Sequence, residues 1–248
     1  MKRVSVDERR NVVVAKTEDE AYDYFVQAFV EEAKRAVAAR ASFSVCLAGG
    51  HTPLPFYEKL KDPSIALMIN WQLLDLFLGD ERCVPLNDPD CNWSNILPHF
   101  VTPPMDQARK HRLVGDSLDH EKAARDYETE LKKICPQGKV DLLMLGIGED
   151  GHTASLFPQT AALQEKTKLV TVNSVPQKKE TRLTITFPTI QQARSVWVLA
   201  FGRPKAKALK RILFGPTTVD ETPAWNIGTK ETPATYLIDR KAAYGLGL

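Results

Sequence analysis

The chain has 248 residues, 43% of them hydrophobic, which is enough to bury a large core. With 33 Lys and Arg against 31 Asp and Glu the formal charge is +2, so no broad basic field exists to hold nucleic acid or a membrane surface, and any affinity for anions must be local. Four scattered cysteines (Cys46, Cys83, Cys91, Cys135) without a C-x-x-C pair argue against a metal site or disulfide framework, and the lack of a signal-like or membrane-length apolar run predicts a soluble, cytoplasmic protein.

In chain order, Thr17 and Glu20 make a capping box, and Ala21, Tyr24, Phe25, Ala28, Phe29, Ala36 and Val37 recur at helical spacing to about Arg40. Phe43 to Leu47 reads as a buried strand, Gly49-Gly50 as a turn, and Pro53 to Leu60 as a helix with proline near its start. A second strand, Leu73 to Leu78, ends at Gly79-Asp80-Glu81-Arg82. Residues 83–118 are rich in Pro, Asn and Asp, with a short helical piece around Trp93 to Phe100, and read as an irregular excursion over the active edge. Asp119 to Cys135 is helical and a strand starts at Val140. Further strands are expected at Lys168 to Asn173, Leu183 to Phe187 and Ser195 to Phe201. A helix over Lys205 to Leu213, a strand at Thr235 to Ile238 and a closing helix from Arg240 complete the pattern. Strand-helix alternation without a linker or repeat predicts one α/β domain over residues 1–248. Its sheet is open and mostly parallel, wrapped by helices, with ligands outside the carboxyl ends of the strands.

The densest chemistry lies in VDLLMLGIGEDGHTASLFP, Val140 to Pro158, where a buried strand runs into three glycines, two acids and a histidine. Gly146, Gly148 and Gly151 match G-x-G-x-x-G, a dinucleotide fingerprint. Context opposes that reading: Pro158 interrupts any helix after one or two turns, Asp150 would set negative charge beside the phosphates, and no strand ends in an acid about twenty positions on. His152 is the better bet for chemistry. A neutral imidazole can take a proton from water at physiological pH, and Asp150 can fix its tautomer or charge. The plainer alternative is a hydrogen-bonded structural histidine, the role expected of His99, His111 and His120. A Ser155 nucleophile served by His152 lacks the G-x-S-x-G elbow that would support it.

Ala48-Gly49-Gly50-His51-Thr52-Pro53 carries a strand end through two glycines to a helix start, where free N–H groups and a hydroxyl can hold phosphate; an ordinary βα turn reads the same way. Arg82 could grip phosphate oxygens in a bidentate contact while an adjacent acid, Asp80 or Glu81, orients it. Lys205, after Gly202, could add a second cation, and Arg182, opening RLTITFP, is a further candidate; a surface ion pair or solvated lysine is the bland reading of these.

Together AGGHTP, GDER, the VP and SN of 84–95, GIGEDGHTASLFP, RLTITFP and the G-x-x-K of 202–205 closely resemble the 6-phosphogluconolactonases over nearly the whole chain. The resemblance implies a Rossmann-like α/β fold acting without a metal, nucleotide or other cofactor on a small sugar-phosphate lactone; the oligomeric state stays unassigned. It makes His152 the general base assisted by Asp150. It sets the substrate phosphate against Arg82, Lys205 and the Gly49-Gly50-His51-Thr52 turn. His51 stands where such proteins usually carry serine, and Pro233-Ala234-Thr235 replaces a P-A-S motif. The related glucosamine-6-phosphate deaminases share the D-G-H core but place a glutamate five residues after the histidine, where this chain has Phe157. A noncatalytic sugar-phosphate sensor is the other alternative, opposed by the intact Asp150 and His152.

Overall fold

The computed structural model describes residues 1–248. Its amino-terminal half runs β1 (Lys2–Asp7), β2 (Arg10–Ala15), α1 (Glu18–Arg40), β3 (Phe43–Leu47), α2 (Leu54–Lys59), α3 (Pro63–Ala66), β4 (Leu74–Leu78) and β5 (Asp80–Arg82). Next come α4 (Asn92–Ile96), β6 (Arg109–Lys110), α5 (His120–Ile134) and β7 (Leu142–Gly146). The remainder is β8 (Val170–Val175), β9 (Glu180–Ile185), α6 (Phe187–Gln192), β10 (Val196–Ala200), α7 (Ala206–Phe214) and β11 (Ala234–Asp239). No helix is long and apolar enough to cross a membrane.

The main sheet has the order β1-β2-β11-β10-β7-β3-β4-β6 and is parallel except for the β1–β2 hairpin. Helices flank it, so β3, β4 and β10 are buried throughout and β7 nearly so, which is why each reads as a short unbroken apolar run. From β3 the chain steps through β4 to one edge, whereas from β7 it steps through β10 and β11 toward the other. The order reverses between β3 and β7. Loops leaving these two strands diverge and open a crevice, the place where α/β sheets take ligands.

Helix α1 starts at the expected cap, with Thr17 accepting from the Glu20 N–H at 3.2 Å, although the Glu20 carboxylate returns to the Lys16 N–H and not to that of Thr17, and it ends at Ala41 in the left-handed conformation. Its inward face sets Phe25 and Phe29 against Phe56, Phe43 and Trp197, with ring centroids 4.6 to 5.4 Å apart. This cluster joins α1 and α2 to the sheet beneath the glycine turn. Two buried tyrosines then fasten the turn itself: Tyr57 donates to the Ala48 carbonyl at 2.7 Å and Tyr22 to the Thr52 carbonyl at 2.6 Å.

Four features differ from the sequence expectations. The β1–β2 hairpin was not foreseen; Asp7 builds its turn by accepting from the Arg9 N–H at 2.9 Å and pairing with Arg10. The expected strands near Lys168 and Leu183 do not extend the main sheet. As β8 and β9 they join β5 in a separate antiparallel sheet, and Phe187 belongs to α6, whose first turn carries Pro188. Residues 83–118 only begin as an excursion over the cleft; later they supply β6 to the edge of the main sheet. After β11 the chain forms turns held by Asp239, which accepts from the Ala242 and Gly202 N–H groups, instead of a closing helix. Gly245 and Gly247, both at positive φ, do not favour helix there.

Candidate active site

The crevice between the diverging loops is a cleft of about 300 Å³. Gly49, Gly50, His51 and Thr52 follow β3, Asp80 and Arg82 follow β4, Gly146 to Gly148 and His152 follow β7, and Lys205 follows β10. Arg182 reaches it from β9, and Ala48, Gly79, Asn92 and Ala154 are also at its rim. All the expected site residues thus meet in one place except Asp150, which stands directly behind His152. Three fixed cations (Arg82, Arg182 and Lys205) face one carboxylate, Asp80, so the cleft is locally electropositive in a nearly neutral chain.

His152 sits in a tight turn in which Gly148 N–H donates to the His152 carbonyl at 2.8 Å. Its ring stacks on Phe157 with centroids 4.1 Å apart, and Nδ1 lies 2.6 Å from Asp150 Oδ1. Burial works to raise the Asp150 carboxyl, but the hydrogen bonds and charge of His152 outweigh it and hold the group below its ordinary value. Ionised, Asp150 can only accept, so Nδ1 carries the proton and the neutral ring presents its lone pair on Nε2, which no protein group engages. Gly148 makes room for this pair. A Cβ there would stand 2.0 Å from His152 Nδ1 and 2.3 Å from Asp150 Oδ1.

In the glycine turn, the N–H groups of Gly49, Gly50, His51 and Thr52 donate to no protein acceptor, leaving a row of donors at the cleft. Arg82 and Arg182 are direct cross-strand partners in the β5–β9 pair, an arrangement of like charges that is unfavourable unless anions compensate. Arg182 pairs with Glu180 through Nε and Nη2, leaving Nη1 uncommitted. Arg82 donates from Nη1 to the Asp90 carbonyl at 2.5 Å, and its buried Nε has no partner. The acid expected to orient Arg82 from the adjacent positions is therefore elsewhere. Asp80 accepts from Ser155 Oγ at 2.6 Å, while Glu81 turns inward to accept the N–H groups of Arg82, Asn92 and Trp93. Burial lifts the Glu81 carboxyl above its ordinary value despite those three donors. Lys205 Nζ donates to the Ile147 carbonyl at 2.8 Å and so also braces the His152 loop.

Two readings are excluded on geometry. Ser155 is fully buried and bonded to Asp80, so it cannot serve as a nucleophile for His152. No helix follows Gly148 before the short turn at Ala161–Gln164, which removes the dinucleotide fingerprint. Pro233-Ala234-Thr235 leads into β11 and lies outside the cleft, as do Ser94 and Asn95, which bond the carbonyls of Leu86 and Pro89. Asn92 was missed from sequence. The only hint was its place in a polar loop directly after Arg82.

The family model described as glucosamine-6-phosphate isomerases/6-phosphogluconolactonase matches residues 16–236. A 6-phosphogluconolactonase of Synechocystis sp. is 34% identical over 218 residues, covering 86% of this chain and 88% of its own. One from Chlamydia pneumoniae is 32% identical over 218 residues, covering 85% and 80%. Among solved structures, a 6-phosphogluconolactonase from Thermotoga maritima is 30% identical with a TM-score of 0.77, covering 92% of this chain and all of that one. The 6-phosphogluconolactonase from Trypanosoma brucei is 28% identical with a TM-score of 0.82, covering 95% and 98%.

Proposed function

The chain belongs to the glucosamine-6-phosphate isomerase/6-phosphogluconolactonase family, and we propose on that footing that it hydrolyses 6-phospho-D-glucono-1,5-lactone to 6-phospho-D-gluconate, the second oxidative step of the pentose phosphate pathway. On this reading the enzyme is a single-domain carboxylic ester hydrolase of the cytoplasm. The observation that carries the reading is the Asp150–His152 pair, with Nε2 uncommitted at a cleft lined by three cations.

Nε2 takes a proton from water as its oxygen bonds to C1 of the lactone, and Asp150 stabilises the imidazolium that forms. Negative charge gathers on the former carbonyl oxygen, which the electropositive field of the cleft opposes. Collapse breaks the bond from C1 to the ring oxygen, which receives the proton back from His152. The carboxylic acid then ionises. Arg82, Lys205 and the 49–52 turn hold the 6-phosphate, orienting C1 toward the water. On this assignment Arg82→Ala raises KM roughly tenfold or more with a smaller change in kcat, because phosphate anchoring persists from ground state to transition state. An unchanged KM removes Arg82 from the site.

A deaminase would need an acid-base group near His152 beyond what ester hydrolysis requires. Here an apolar ring, Phe157, stacks on the imidazole instead. The deciding experiment measures opening of freshly generated phosphogluconolactone against its spontaneous decay, beside ammonia release from glucosamine 6-phosphate. Acceleration of the first without the second is expected; the reverse would replace this reading with the deaminase.

A further inference from the structure

Asn92 is buried, yet it forms part of the cleft wall. Its backbone N–H donates to Glu81 Oε1 at 2.8 Å. Its side-chain Nδ2 donates to the Asp80 carbonyl at 2.9 Å and reaches Asp80 Oδ1 at 3.4 Å. Those acceptors decide which end of the amide is which, because only the NH₂ end can face two oxygens. The amide oxygen Oδ1 points the other way, and no protein donor meets it. On its far side the amide abuts the glycine turn: a Cβ at Gly49 would stand 2.3 Å from Asn92 Cγ, Oδ1 and Nδ2. Asn92 is thus wedged between the turn with the free N–H row and the strand end that carries Asp80, with one acceptor left over.

The chemistry of the remaining wall gives that acceptor a use. Most of that wall is arginine, lysine and backbone N–H, donors suited to phosphate and carbonyl oxygens, and the carboxylate among them, Asp80, already accepts from Ser155 Oγ and lies against Asn92 Nδ2. A ring bearing several hydroxyls needs acceptors as well. The amide oxygen is not sealed from solvent and opens to the cleft, so a bound ring would strip its water, and a substrate hydroxyl would take that water's place. Resting on the lactonase reading, we propose that Asn92 Oδ1 accepts a hydrogen bond from one ring hydroxyl of the substrate and so sets selectivity for the hydroxylated ring. Asp80 and Glu81 hold the amide in place.

The test compares kcat/KM for the parent lactone with its 2-, 3- and 4-deoxy analogues, all keeping the 6-phosphate, in the wild type and in Asn92→Ala and Asn92→Leu. Ratios between substrates cancel the fraction of folded enzyme, so a partly unfolded variant still gives an answer. The wild type is expected to reject one of the three analogues by roughly 10- to 100-fold, the cost of leaving the acceptor unpaired once the bound ring has displaced its water. Both variants should reject that analogue by no more than about threefold and treat the other two as the wild type does. If Asn92 merely fastens α4 to Asp80, the variants lose rate on every substrate and keep all three ratios, and the proposal is overturned. It is overturned equally by a wild type that opens all four lactones at similar rates. A wild type that opens none sinks the lactonase reading and this proposal together, whereas unchanged ratios in an active enzyme sink this proposal alone.

Discussion

Two histidines of this protein share almost the same surroundings and differ in one atom's freedom. His152 stacks on Phe157 at 4.1 Å with a carboxylate 2.6 Å from Nδ1; His111 stacks on Phe77 at 4.4 Å with Glu130 2.7 Å from Nδ1. In His111, however, Nε2 is also spent, on Asp75 at 2.9 Å, and Asp75 in turn holds Arg109. The ring is buried where β4, β6 and α5 meet. His152 lies at a strand's carboxyl end, and its Nε2 faces the cleft with no partner. A histidine bonded through both nitrogens is a rivet between elements, while one held by a single nitrogen is oriented and still able to move a proton.

On that contrast, damage around His152 appears in rates and damage around His111 appears in stability. The larger effect is expected from Gly148→Ala, whose new methyl overlaps His152 Nδ1 and Asp150 Oδ1 and must push the pair apart. We expect kcat to fall roughly a hundredfold, the typical worth of a positioned acid-base group, with the melting temperature nearly unchanged. Activity within threefold of the wild type would mean the pair is not needed. His111→Ala should do the opposite. Removing a buried, doubly bonded ring costs about 2 to 4 kcal/mol in denaturant unfolding, while kcat per folded molecule stays the same.

The finer test is pH. Burial works to lower the His111 value, but the hydrogen bonds its ring donates to Asp75 and Glu130 outweigh it and leave the value raised. For Asp75, burial works upward and is outweighed by His111 and Arg109, leaving its carboxyl lowered. A raised histidine stabilises fully below its unfolded value of about 6.5 and loses that contribution as pH climbs through the folded value. A lowered carboxylate stabilises above its unfolded value of about 3.9 and loses the contribution as pH falls through the folded one. The stability gap between wild type and His111→Ala should therefore be widest between about pH 4.5 and 6.5 and shrink above it. A gap that widens toward pH 9 would show that His111 is held neutral.

The sequence reading succeeded where a local pattern carried the physics. Central strands buried on both faces announce themselves as apolar runs, and the close approaches around His152 demand glycines that stand next to it in the chain. It failed where the cause was remote. β8, VTVNSV, and β9, ETRLTI, mix polar and apolar residues, and nothing in a single strand names its partner, so they read as more of the main sheet. The hairpin β1–β2 was hidden by charged residues and by a turn that uses Asp7 in place of glycine. Asn92 gains its meaning only from Gly49 and Asp80, brought to it by two different strands. Arg82 shows both sides: its place at the cleft followed from the strand end, but its contact with Asp90 depends on how the following loop folds back.

The central claim is that His152 activates the attacking water. Steady-state opening of freshly generated 6-phosphogluconolactone by His152→Ala, corrected for spontaneous decay, tests it most directly. The account predicts a kcat at least about a hundredfold below the wild type, with KM within about threefold. A variant that turns over within threefold of the wild type would contradict it.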